Sequence, residues 1–219
     1  PPRGDGVRHP RWERSRSPPR RDAARRPRWE QTSQRPSRRE PDGSSEQRER
    51  RPAHREAPIH RQIAWGKQIA GRDASVESIL ALFANEGHQF SVRNLATTAH
   101  RVGKLGGRRV RSDRRLETLA EACRARIDVF NSQDIGNAAW GFARAGFTDE
   151  RLFRAIATEA LRRINEFNSQ EMANTVWAFA TAGVAARTLF EAIAAEALRR
   201  INEFNSQEMA NTVWAFATA

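Results

Sequence analysis

The chain has 219 residues and a formal net charge of +12, from 38 Lys and Arg against 26 Asp and Glu. A single cysteine, Cys123, excludes a disulfide framework and a cysteine-built metal centre. No apolar run approaches the roughly 18 residues that a membrane-spanning helix needs. The charge is uneven: residues 1–62 hold 18 Arg and 9 acidic residues, a surplus of +9, and the remaining 157 residues carry +3.

Residues 1–62 are rich in Arg, Pro and Ser and poor in aliphatic side chains. They cannot bury enough apolar surface to offset chain entropy, so the expectation is a disordered basic tail. Arg14-Ser15-Arg16-Ser17-Pro18 looks like the arginine–serine stretches of RNA-processing factors. Pro10-Arg11-Trp12-Glu13 recurs as Pro27-Arg28-Trp29-Glu30. Arg11, Trp12, Arg28 and Trp29 are candidate nucleic-acid contacts, because guanidinium groups hold phosphates while indoles stack on unpaired bases. The competing reading is a solvated linker. Nine acidic residues argue against an intact organelle-targeting peptide, which is acid-poor.

From residue 63 the chain repeats. Phe130-Asn131-Ser132-Gln133 returns as Phe167-Asn168-Ser169-Gln170 and as Phe204-Asn205-Ser206-Gln207, each interval being 37 residues. Residues 159–182 are identical to 196–219. An older unit lies upstream, where residues 90–106 align with 130–146 and His100 takes the place of Trp140. Its three extra residues fall in the Gly106-Gly107-Arg108-Arg109 loop.

Each unit reads as two helices. The first is clearest at residues 149–164, where Leu152, Phe153, Ile156, Ala157, Ala160, Leu161 and Ile164 form an amphipathic stripe. The second opens with Asn168 as N-cap, Glu171 as its capping-box partner, and Phe167 stapled onto Met172. The same grammar reads Phe130/Asn131/Asp134/Ile135 and, with weaker chemistry, Phe90/Ser91/Asn94/Leu95. Gly146 and Gly183 end the second helices in the left-handed conformation. The spacing places the next such glycine at residue 220, one beyond Ala219, so the sequence reads as a fragment cut within a repeat. One hairpin cannot bury its apolar stripe alone. The expected fold is therefore all-α: an α-solenoid of antiparallel helical hairpins over residues 63–219, preceded by the tail.

The run Phe167-Asn168-Ser169-Gln170-Glu171-Met172-Ala173-Asn174-Thr175-Val176-Trp177-Ala178-Phe179-Ala180-Thr181-Ala182-Gly183 resembles the helical repeats of octotricopeptide-repeat proteins. It is also similar to the leucine-rich repeats of FAST-kinase-like proteins and to RNA-editing substrate-binding-complex proteins. The resemblance covers roughly residues 63–219 and is most specific at the second helix. It implies binding of single-stranded organellar transcripts, in a mitochondrion or chloroplast, in support of RNA processing, stability or editing. It also implies protein partners in an RNA-processing complex, while the word kinase in one family name carries no implication of kinase activity.

Arg126, Arg163 and Arg200 share one position near the end of each first helix, joined in the last two units by Arg162 and Arg199. A guanidinium ladder at repeat spacing suits an RNA backbone. The competing reading is that Arg at a helix C-terminus complements the macrodipole. The last two units differ mainly in their first helices, where Glu150 becomes Arg187, Arg151 becomes Thr188 and Arg154 becomes Glu191. Such exposed, variable positions are candidate base readers, at about one base per repeat, against neutral drift on a solvated face. Trp140, Trp177 and Trp214 read as inter-repeat packing rather than as stacking platforms. Asn137, Asn174 and Asn211 read as hydrogen-bonded ties between repeats rather than as base readers.

Catalytic signals are absent: the five histidines show no metal-ligand spacing, and neither Gly66-Lys67 nor the Gly103–Gly107 region forms a phosphate loop. Cys123 falls on the apolar stripe of its helix and reads as core. The expected function is non-catalytic, without a cofactor: RNA binding, or alternatively a scaffold for peptides or partner proteins.

Overall fold

The computed structural model describes residues 55–219, so Arg11, Trp12, Arg28 and Trp29 lie outside the described residues. Nine α-helices and no strand occur among the described residues. They are α1 (Ile59–Ala70), α2 (Val76–Glu86), α3 (Val92–Gly106), α4 (Arg115–Arg124), α5 (Ser132–Ala145), α6 (Glu150–Arg162), α7 (Ser169–Ala182), α8 (Arg187–Arg199) and α9 (Ser206–Thr218). The odd-numbered helices pack side by side in one row and the even-numbered ones in a second row. Each even helix leads into the following odd one through a single 3-10 turn, such as Ile164–Glu166. This is the expected solenoid of hairpins.

The caps form as the sequence dictates. The Asn168 side chain accepts from the Glu171 backbone N–H at 2.8 Å, and the Asn168 N–H donates to the Glu171 carboxylate at 2.9 Å. Asn131/Asp134 and Asn205/Glu208 repeat the arrangement. Phe90, Phe130 and Phe167, each preceding a cap, are fully buried. Gly146 and Gly183 end α5 and α7 at φ of 70° and 66°, a conformation that side chains with a Cβ avoid.

Helix α1 begins at Ile59, four residues before the expected start of the array at residue 63. It starts there because Gln62 joins it to α3. The Gln62 amide donates to the Gln89 carbonyl at 2.7 Å, and its oxygen accepts from the Asn94 amide at 2.8 Å. Asn94 is thereby drawn to α1, leaving Ser91 to cap α3 alone, accepting from the Asn94 N–H at 3.3 Å. Trp65 on α1 buries its ring 5.1 Å from that of Phe90.

The odd row owes its close spacing to small residues. A Cβ added to Gly103 would overlap the Gly141 carbonyl oxygen, and one on Gly141 would overlap the Ala99 carbonyl. The α3 and α5 backbones touch directly. Gly136 on α5 differs, because its Cβ would find only ordinary contacts at 3.6 Å. Gly136→Ala should therefore raise stability by about 0.5–1 kcal/mol through helix propensity. Gly141→Ala should lower it by roughly 1–3 kcal/mol through overpacking. Denaturant midpoints of the two variants test this pair of opposite signs.

Candidate nucleic-acid interface

The odd helices bury one face against the even row and turn another to solvent. Counting from the buried Phe before each cap, positions three, seven, ten and fourteen share the outward stripe. In α5 these are Gln133, Asn137, Trp140 and Arg144, all exposed or half-buried between buried neighbours. Helices α7 and α9 repeat the stripe as Gln170, Asn174, Trp177 and Thr181, then Gln207, Asn211, Trp214 and Thr218. In α3 it reads Arg93, Thr97, His100 and Lys104. No acidic residue occupies any of these positions.

The aromatic members form a continuous surface stack. Ring centroids lie 4.8 Å apart from His100 to Trp140, 6.0 Å from Trp140 to Trp177 and 6.3 Å from Trp177 to Trp214. The rings pack between repeats, as expected, yet Trp140 and Trp177 also stay partly exposed. Burial, then the nearby Lys104 and Arg101 charges, holds His100 below the usual imidazole pKa, so a neutral ring completes the stack. The expected asparagine ties are corrected. Asn137, Asn174 and Asn211 form no side-chain hydrogen bond among the described residues. Their position on the outward stripe turns the amides to water.

At the C-terminal end of the stripe sits a group of cations. The three-residue insertion becomes the 3-10 turn Gly107–Val110, which packs against α5. A side chain starting at Gly107 would meet the Arg144 guanidinium at 3.8 Å, and one at Gly146 would meet Arg108 at 3.1 Å and Arg111 at 3.7 Å. Lys104, Arg108, Arg109, Arg111, Arg114 and Arg144 are all exposed. None of them forms an ion pair among the described residues. The acid nearest them in sequence, Asp113, is held by Arg115 at 2.7 Å.

The arginine ladder has other partners. Arg126 donates to the Phe90 carbonyl at 2.6 Å and pairs with Glu56. Arg163 reaches the Asp128 carbonyl at 3.1 Å, and Arg200 the Phe167 carbonyl at 2.6 Å. Each therefore crosses to the backbone of the preceding unit. Arg163 also grips Glu159 at 2.5 Å and Glu166 at 3.2 Å, while Arg200 holds Glu196 at 3.4 Å and Glu203 at 2.6 Å. Their side chains are at most 21% exposed. Arg162 and Arg199 are more exposed, but each closes on the same glutamate, Glu159 or Glu196, at 2.5 Å. These five guanidiniums are engaged by the protein itself, and the ladder reads as an inter-repeat latch.

The candidate base readers lie on the even row, away from the aromatic stack. Glu150, Arg154, Arg187 and Thr188 line one groove of about 350 Å³ between α6 and α8, floored by Leu161, Phe179 and Leu189. Arg151 and Glu191 are exposed on the same helices. Arg154 pairs with Glu150 at 2.7 Å, and Arg187 with Glu191 at 2.8 Å. Two of the differences between the units, at 150/187 and 154/191, thus write one ion pair in opposite orders, a change that preserves an i,i+4 contact.

Cys123 is fully buried, and burial pushes its thiol pKa up, which leaves it inert. No group of three or more His, Cys, Asp or Glu residues among the described residues could hold a metal ion. No described helix is long and apolar enough to cross a membrane.

Two rows of stacked hairpins, with an acid-free aromatic and amide stripe along one of them, define a helical-repeat protein. Over residues 81–218 the chain matches the family of the RNA-editing substrate-binding complex 6 protein. That match spans 138 of the 219 residues, from within α2 through α9, and the chain belongs to this family. No curated protein matches the chain significantly.

The latch makes its own prediction. Arg163→Gln should lower stability by about 2 kcal/mol, since it strips a charged hydrogen bond from the buried Glu159 carboxylate. The guanidiniums, Arg162 first and then Arg163, hold the Glu159 carboxyl below the usual range despite its burial. The contribution is therefore full above the ordinary carboxylate pKa and lost as pH falls through the lowered value. Thermal unfolding at pH 7 and at pH 3 should show the variant's deficit shrinking at the acid end.

Proposed function

We propose that this chain is an RNA-binding helical-repeat protein that holds single-stranded RNA along the outward stripe of α3, α5, α7 and α9. The observation that carries this reading is the His100–Trp140–Trp177–Trp214 stack running beside the unpaired cations at the α3–α5 edge. Aromatic faces receive unpaired bases, and a basic margin tracks the phosphates. The family supports a setting in an RNA-editing substrate-binding complex, and with it we assign the chain an organellar, mitochondrial location. The protein acts by positioning RNA and not by catalysis. The basic tail adds sequence-independent attraction to phosphate.

Membership of a complex also calls for protein contacts. The groove between α6 and α8, with its apolar floor and charged rim, supports a peptide or partner protein docking on the even row while RNA occupies the odd row. This assigns the two candidate ligands to different rows.

Fluorescence anisotropy with a labelled single-stranded RNA at several salt concentrations tests the RNA reading. Changing Lys104, Arg108, Arg111 and Arg144 together to Gln should weaken binding to every RNA. It should also flatten the salt dependence by about 0.7 for each phosphate that is no longer neutralised. Changing Arg187 and Thr188 to Ala should leave RNA affinity unaltered. Absence of binding by the full chain at low salt would remove the RNA reading and leave the protein scaffold.

A further inference from the structure

The second helices of the repeat keep the first three positions of their outward stripe unchanged from α5 to α9. Helices α5, α7 and α9 place the same Gln, Asn and Trp at the first three stripe positions, while α3 has Arg, Thr and His there. Folding does not demand this of the asparagines. Asn is a poor residue for a helix interior, and the amides of Asn137, Asn174 and Asn211 bond to nothing among the described residues. Three consecutive units thus offer an identical donor–acceptor pair beside an identical indole.

An array that reads mixed sequence must vary its reading residues from unit to unit. An array of identical readers meets the same chemistry at each step. The indole centroids are 6.0 and 6.3 Å apart, nearly twice the roughly 3.4 Å rise of stacked nucleotides. Neighbouring bases would therefore be parted from one another, each facing one unit. A carboxamide pairs with a base through one donor and one acceptor, and adenine offers the matching pair on both its Watson–Crick and Hoogsteen edges.

Resting on the RNA reading above, we infer that the preferred ligand is unpaired RNA carrying one base repeated at three consecutive positions. Each copy lies opposite one of Asn137, Asn174 and Asn211. The α3 unit, with Thr97 and His100 in their places, ends the run on its side. Specificity resides in the amides, and the cations at the α3–α5 edge hold phosphate without regard to base.

The test uses the full chain and nine-nucleotide RNAs: oligo(A) first, then oligo(U), oligo(C) and mixed sequences without identical neighbours. One homopolymer should bind roughly tenfold more tightly than the mixed set, the discrimination expected of amide–base pairing. In the combined Asn137→Ala, Asn174→Ala and Asn211→Ala variant that advantage should vanish. Its affinity for mixed RNA should fall less than its affinity for that homopolymer, and its salt slope should stay unchanged, since the amides carry no charge. The variant keeps its fold, because the amides have no partners to lose and Ala favours a helix; an unfolding curve verifies this. Equal binding of homopolymers and mixed sequences overturns the inference while leaving RNA binding intact, as does an equal loss for every RNA in the variant. Absence of any RNA binding overturns both readings.

Discussion

No hairpin in this chain can bury its own apolar stripe, and everything else follows from how neighbouring hairpins share that task. Helix α5 shows the constraint. It must contact α3, α6 and α7 at once, so nearly every residue that does not face solvent is small or aromatic. Gly103 and Gly141 let two backbones meet, and the Phe before each cap fills the space between the rows. The outward stripe is what remains after these demands are met. Its composition is therefore free to serve a ligand.

The same sharing determines which charges remain available. Arg126, Arg163 and Arg200 direct their donors to carbonyls of the preceding unit and to glutamates. They bind one repeat to the next. Six cations that the repeat does not engage among the described residues, Lys104, Arg108, Arg109, Arg111, Arg114 and Arg144, gather where the array departs from strict periodicity. The insertion after α3 disturbs the 37-residue rhythm, and it is the same insertion that brings Arg108 and Arg111 beside Arg144.

Much of this is legible in the sequence, for a physical reason. Caps, staples and glycine stops are encoded within four or five residues, and the 37-residue identity carries each reading to the next unit. Cys123 on its stripe is equally local. Long-range partners are harder to read. The position of Arg163 gives no sign that its guanidinium meets the Asp128 carbonyl 35 residues away. The start of α1 at Ile59 depends on Gln62 meeting Asn94 across 32 residues. Glu150 and Arg154 look variable when compared position by position with Arg187 and Glu191, but as a pair they keep the same two charges. The asparagines are legible in principle. The three, seven, ten and fourteen spacing after each Phe places them with Gln, Trp and the cations on one polar stripe, opposite the apolar one.

The proposed RNA site lies on the odd row, across the aromatic stack, and not on the even row. Ultraviolet crosslinking of the full chain to single-stranded RNA, followed by mass spectrometry of the joined peptides, addresses it directly. Crosslinks should fall within α5, α7 and α9, centred on Trp140, Trp177 and Trp214, with further contacts in the turn Gly107–Val110. Crosslinks concentrated on α6 and α8, around Glu150 and Arg187, would contradict that placement.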